Sequence, residues 1–253
     1  MKRFAKKFLK YAALLTITMH FLFSPSLLQA MSADEYLAKA EFIRNPTEDY
    51  SCDVILTDEK NGKKEEPKEF VASIKGREKA LVTYVKPALD KGTKVLMVSQ
   101  DMWVQPNTSK KAIRIAANQK LSGNAAYGDI ARLSFVGNYK ASFADASVKQ
   151  NPEEVLLVLE SIPGRAVTYD KIDYVIDKKS FRPIRAVYKS FSGKTIREGF
   201  FGDFQEVFGV QRPTAVTLKN SLSEGHTTYL RFINARKSDL PDILFEKQNL
   251  GRR

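Results

Sequence analysis

Residues 154–201, EVLLVLESIPGRAVTYDKIDYVIDKKSFRPIRAVYKSFSGKTIREGFF, decide how this chain folds. They divide into four short runs rich in β-branched and aromatic residues, near 154–162, 170–177, 182–191 and 194–203, joined by polar turns such as Asp177 to Ser180 and Ser192-Gly193. Connections this short leave no room for the crossover helix that a parallel sheet requires, so the strands form an antiparallel meander. Two of the runs lack the alternation of a half-solvated strand. Val155 to Leu159 and Tyr174-Val175-Ile176 are apolar at every position, and the stretch to Phe191 carries Ile184, Ala186 and Tyr188 on one face with Val187 and Phe191 on the other. A strand apolar on both faces buries both, so packed helices or a ligand must cover the second face.

The same period of two extends outward. It begins at Tyr50, where Cys52, Val54 and Leu56 alternate with Asp53, Ile55 and Thr57, and a lysine-rich turn follows at Asp58 to Pro67. Further strands are expected near 68–76, 79–86, 93–98, 101–105, 110–116, 138–148, 212–221 and 226–236. Ser32-Ala33-Asp34-Glu35 opens a helix with Ser32 as N-cap and acids in its first turn, and Asn45-Pro46 ends it after Arg44. The one long interruption of the strand pattern is 117–137, where Asn118 to Ala126 is small and polar and Tyr127 to Val136 has the spacing of a short helix, with Asp129 as an N-cap for 130–136. No linker or repeat divides the chain, which predicts a single β domain over residues 31–253.

The 253 residues carry a net charge of +12, a balance that first suggests nucleic acid or an anionic membrane. Its distribution says otherwise. Lys2, Arg3, Lys6, Lys7 and Lys10 precede the apolar run Tyr11 to Leu28, the pattern of a secretory signal peptide over residues 1–30 with cleavage between 30 and 33; an uncleaved anchor is the competing reading. Removing those five charges and no acid lowers the net charge to +7, and a nucleic-acid partner is no longer expected.

One Cys and two His leave no internal disulfide, no Cys/His zinc site and few routes to a nucleophilic triad. Ser192-Gly193-Lys194-Thr195 resembles the end of a phosphate-binding loop, but Tyr188 stands where its first Gly belongs, so it reads as a hairpin turn. Asp170 has opposite parity to Asp173 and Asp177, which separates them as metal ligands. Neither catalytic residues nor a metal or other cofactor are expected.

The succession Met102-Trp103-Val104-Gln105-Pro106-Asn107, Lys110-Lys111-Ala112-Ile113-Arg114-Ile115 and Tyr127-Gly128-Asp129-Ile130 resembles bacterial outer-membrane lipoprotein-sorting proteins, the LolA-like family. The segment Tyr174 to Ile184 and the ending Leu240-Pro241-Asp242-Ile243-Leu244-Phe245 are similar to the family's long hairpin and C-terminal close. The resemblance implies a mainly β fold: an incomplete antiparallel β-barrel, a curved half-barrel sheet with a few helices as a lid over a hydrophobic cavity. It implies a periplasmic carrier of acylated lipoprotein or lipid cargo, with an inner-membrane exporter and an outer-membrane acceptor as partners. The alternative is a non-catalytic accessory subunit of an envelope lipid-export complex. Strand parity then nominates Trp103, Phe135, Leu157, Leu159, Tyr174, Ile184, Tyr188 and Phe201 as cavity lining, with 117–137 as the lid. Lys110, Lys111 and Arg114 are candidates for docking to a partner or to anionic head groups, set against the commoner role of lysines guarding an edge strand.

Overall fold

In a computed structural model, described for residues 31–149 and 151–251, the chain begins with helix α1 (Ala33–Arg44). The Ser32 hydroxyl accepts from the Glu35 amide and the Glu35 carboxylate accepts from the Ser32 amide, so two otherwise orphaned donors are satisfied reciprocally. The expected signal segment 1–30 lies outside the described residues.

The strands are β1 (Tyr50–Lys60), β2 (Lys63–Lys64), β3 (Lys68–Lys75), β4 (Lys79–Lys86), β5 (Lys94–Val98), β6 (Asp101–Gln105) and β7 (Ile113–Ile115), then β8 (Lys120–Ser122) and β9 (Ala125–Ala126). A single-turn helix α2 (Tyr127–Ile130) follows, and then β10 (Tyr139–Phe143), β11 (Glu154–Ser161), β12 (Lys171–Asp177), β13 (Pro183–Lys189), β14 (Thr195–Val207), β15 (Val210–Asn220) and β16 (His226–Lys237). Apart from the β8–β9 hairpin they make one antiparallel sheet in the order β10-β11-β12-β13-β14-β15-β16-β1-β3-β4-β5-β6-β7, with β2 on β1. Two meanders are thus stitched together by β1, which pairs Leu56 with Leu230 of β16 on one side and Val54 with Phe70 of β3 on the other. The outer strands β7 and β10 do not pair, so the barrel is incomplete, as the family resemblance implied.

This order explains the interruption at 116–138. Its two ends belong to opposite edges of the sheet, so the segment must travel across the sheet, and it does so over the buried face. Along β11, Val155, Leu157 and Leu159 face inward while Leu156 and Val158 stay half-buried; Ala186 and Tyr188 of β13 follow the same rule. The core extends from Val54, Leu56 and Phe70 to Leu157, Ile172 and Tyr174, with α1 and the crossover filling the face between.

Several expected boundaries change. The strand at 110–116 shrinks to Ile113–Ile115 and that at 138–148 ends at Phe143, while β14 runs on to Val207. The hairpin β8–β9 was not expected. The helix over 127–136 stops at Ile130, because Arg132 adopts φ +53 and breaks the helical path. Asp129 is accordingly not the N-cap of a longer helix but the third residue of α2, where its carboxylate accepts from the Ala126 amide at 2.7 Å.

Candidate functional site: a roofed apolar interior

Six of the eight nominated lining residues lie in the main core. Leu157, Leu159 and Tyr174 are fully enclosed, Tyr188 and Phe135 nearly so, and Phe201 packs against them half-buried. The Tyr174 ring meets Phe135 edge-on at 5.5 Å and Phe201 at 6.0 Å, an arrangement that aromatic quadrupoles favour. The other two nominees stand elsewhere. In β6, Met102 and Val104 take the inner face, so Trp103 projects outward and packs with Leu96, Leu240, Phe245 and Leu250 beneath the C-terminal segment. Ile184 sits in a bulge: Val175 pairs with Arg185 and Ile176 with Pro183, which leaves Ile184 unpaired and outside the core.

The crossover is held from below at three places. Its hairpin arm is set on the ends of β1, β15 and β16 by a buried carboxylate. Asp58 accepts from the hydroxyls of Ser122 (2.5 Å) and Thr228 (2.6 Å), and Lys68 reaches both Ser122 (2.7 Å) and Asp58 (3.7 Å). Asn124 donates from its amide to the Thr228 hydroxyl and from its side chain to the carbonyls of His226 and Leu218. At the hairpin apex Gly123 has φ +51, and a Cβ there would lie 1.7 Å from the Asp58 carboxylate, so only glycine fits.

The second fastening is at α2. Asp129 also accepts from the Tyr169 hydroxyl at 2.9 Å and faces Arg197 at 3.8 Å. Tyr169 stacks on Tyr188 at 3.9 Å, and its carbonyl accepts from the Tyr139 hydroxyl. Burial pushes the Asp129 carboxyl above its ordinary value, opposed chiefly by the Arg197 guanidinium. Gly128 is required for this approach, because a Cβ would stand 2.0 Å from the Thr168 hydroxyl.

The third fastening ties the roof to the end of α1. Glu41, fully buried, accepts two hydrogen bonds of 3.0 Å from Arg44, and the Arg44 Nη2 goes on to the Leu133 carbonyl at 2.7 Å. Asn45 donates to Glu41 and to the Arg132 carbonyl, while Arg132 returns bonds to the Asn45 side chain and the Arg44 carbonyl. The break in the helix at Arg132 is what frees these two carbonyls to accept from side chains. The Arg44 guanidinium also lies 4.0 Å from the Phe135 ring centre. Sequence reading missed this group, since its donors and acceptors lie nearly ninety residues apart.

Between roof and sheet, a void of about 40 Å³ remains among Arg44, Asp129, Phe135, Tyr188, Phe201 and Phe232. That accommodates a few waters and no acyl chain. Two polar groups in this interior, the Tyr174 hydroxyl and the Arg197 Nη1, are buried with no hydrogen-bond partner among the described residues. Asp170, Asp173 and Asp177 have local duties instead of a shared one: Asp170 accepts from the Phe191 amide, Asp173 pairs with Lys189, and Asp177 closes its own turn through Ser180. Of the docking candidates, Lys110 and Lys111 are exposed in the β6–β7 connection, whereas Arg114 pairs with Asp101 of the neighbouring strand.

Comparison with known proteins follows the same architecture. The sequence profile of a family described only as an uncharacterized protein matches residues 76–252, and no functionally curated protein matches. Among solved structures, a LolA superfamily protein from Nitrosomonas europaea is similar with 30% identity and a TM-score of 0.79, covering 86% of this chain and 99% of its own. A DUF1329 family protein from Desulfovibrio piger shares the fold at 20% identity and TM-score 0.73, over 86% of this chain and 97% of its own. An outer membrane lipoprotein-sorting protein domain from Vibrio parahaemolyticus shares it at 18% identity and TM-score 0.71, over 87% and 98%. With an open half-barrel, a roof carried from edge to edge and a 30% identical relative matched over nearly its whole length, the chain belongs to the LolA superfamily.

Proposed function

We propose that the protein is a periplasmic carrier that takes acyl chains of lipoproteins or lipids between sheet and roof and shuttles them from an inner-membrane exporter toward an outer-membrane acceptor. It is exported by residues 1–30, and residues 31–253 act as one non-catalytic binding domain. The observation that carries this reading is the join between α1 and the roof. The roof rests on apolar side chains and is held at this point by side-chain bonds to the Arg132 and Leu133 carbonyls, which water or cargo can replace. Each buried methylene contributes about 0.8 kcal/mol, so about ten offer a gross ~8 kcal/mol, of micromolar order before ordering costs. The void of about 40 Å³ means that loading requires the roof to lift.

The unpartnered Tyr174 hydroxyl suits the ester or amide carbonyl of such a cargo. Protein purified from a bacterial host, extracted with organic solvent and examined by mass spectrometry, should release acyl lipid in defined stoichiometry, and the emptied protein should bind a fluorescent fatty-acid probe saturably. Tyr174→Phe should weaken probe binding about tenfold, the worth of a single hydrogen bond, while leaving the denaturation midpoint unchanged or higher. Protein that is always lipid-free and indifferent to acyl probes would overturn the proposal. The filled interior favours a second reading, an accessory subunit docking to an export complex, which that result would leave standing.

A further inference from the structure

We infer that one rim of the half-barrel is a membrane-docking edge that seats on an anionic lipid bilayer, a property separate from the interior proposed to hold cargo. Strand direction places the turns β4–β5, β13–β14 and β15–β16 at the same end of the sheet, together with the β1–β2 and β6–β7 connections. The apex of each of the first three carries a large apolar side chain in solvent: Leu89 is 82% exposed, Phe191 83% and Leu222 56%. None has a route to the core, because its turn is pinned. The Leu89 carbonyl accepts from Asn107, the Phe191 amide donates to Asp170, and the Leu222 amide donates to the Asn220 side chain.

Isolated exposed apolar residues are ordinary on protein surfaces, but these three share one edge. At roughly 4.8 Å per strand, Phe191 and Leu222 are about 10 Å apart along the rim and Leu89 about 19 Å further. Three fixed apolar points spread over such an arc suit a flat partner better than a pocket. The charge beside them has one dominant sign. Lys60, Lys63, Lys91, Lys110, Lys111 and Lys194 are exposed at this end with no carboxylate at ion-pair distance among the described residues. At the opposite end most lysines are paired, Lys75 and Lys79 with Asp242, Lys179 with Glu153 and Lys237 with Glu48, while Lys149 and Lys178 are exposed without such a carboxylate among the described residues. Apolar tips flanked by lysines match an interface where rings and aliphatic groups enter the head-group layer and ammonium groups meet anionic lipid, each contributing about 1 kcal/mol near the surface. An acidic protein would answer the lysines but would leave three separated apolar tips without a use.

The test places a polarity-sensitive dye on the rim. Cys52 is buried, so Phe191→Cys can be labelled selectively in the full chain, with Lys178→Cys in the β12–β13 turn as the opposite-end control. With phosphatidylglycerol vesicles the dye at 191 should shift to shorter wavelength while that at 178 does not, and pure phosphatidylcholine vesicles should move neither. Leu89→Ser with Leu222→Ser should weaken vesicle binding about tenfold and leave fatty-acid probe binding unchanged. No shift at 191, an equal shift at both positions, or binding to acidic proteins without vesicle binding would each overturn the inference. Loss of probe binding would instead count against the carrier reading, so the two fail separately.

Discussion

The two arms of the crossover are fastened by different chemistry, and the difference says which of them can move. The hairpin arm ends on a single buried carboxylate, Asp58, that collects two hydroxyls and an ammonium around a glycine apex with no space for any other residue. Undoing it would strand several buried polar groups at once. The arm beyond α2 is held by Arg44 on the Leu133 carbonyl, and Arg44 keeps its two bonds to Glu41 when that carbonyl leaves. Opening there breaks that charge-assisted bond, about 1.5–3 kcal/mol, together with the bonds that link Arg132 to Asn45 and to the Arg44 carbonyl, groups that water can satisfy once they are exposed. The hinge of a lifting roof therefore belongs near α2, and the moving part is shorter than the whole 117–137 segment.

The largest effect that would break this contrast is at the fixed arm. Asp58→Ala should lower global stability by about 3 kcal/mol, since Ser122, Thr228 and Lys68 lose their common acceptor; a denaturant midpoint within error of wild type would refute the assignment. Arg44→Leu comes next. It should cost about 2 kcal/mol locally, through the buried Glu41 left without its cation and the freed Leu133 carbonyl. Amide exchange should quicken near Leu133 to Asn138 and stay slow at Asn124 to Ala126. Equal quickening in both arms would show that they open as one body.

The smallest effect is the pH response of Asp129. Its carboxyl titrates above the ordinary value of 3.8 in the folded protein, so the native state holds the proton more tightly than the unfolded chain. Stability should then rise as the pH falls through the raised value and level off near 3.8. Asp129→Asn should flatten that component when pH-dependent melting of the two proteins is subtracted, and a difference curve of opposite sign would mean that the Arg197 pairing outweighs burial.

Much of this was legible in the chain. The fold class followed from strand runs joined by turns too short for helices, and the inward parity of Leu157, Leu159 and Tyr188 followed from a period that local sterics impose. Trp103 and Ile184 were misplaced because parity has two solutions per strand. For Trp103 the distant C-terminal segment, with Leu240, Phe245 and Leu250, covers the outer face; for Ile184 a bulge shifts the count, and neither is encoded locally. The helix expected to reach Val136 failed for a similar reason: Arg132 leaves the helical path at φ +53, and the carbonyls this frees are taken by Arg44 and Asn45, partners nearly ninety residues away that no local propensity contains.

What the sequence determined by itself was the antiparallel class, the capped first helix and the scarcity of reactive side chains, all of which depend on neighbours within a few residues. The tertiary structure decided that β1 joins two meanders, that the crossover must roof the sheet, and that Asp58 and Asp129 lie buried among partners from distant segments. Those features arise from contacts between residues scores of positions apart, whose cost in chain entropy is recovered only when the whole sheet forms.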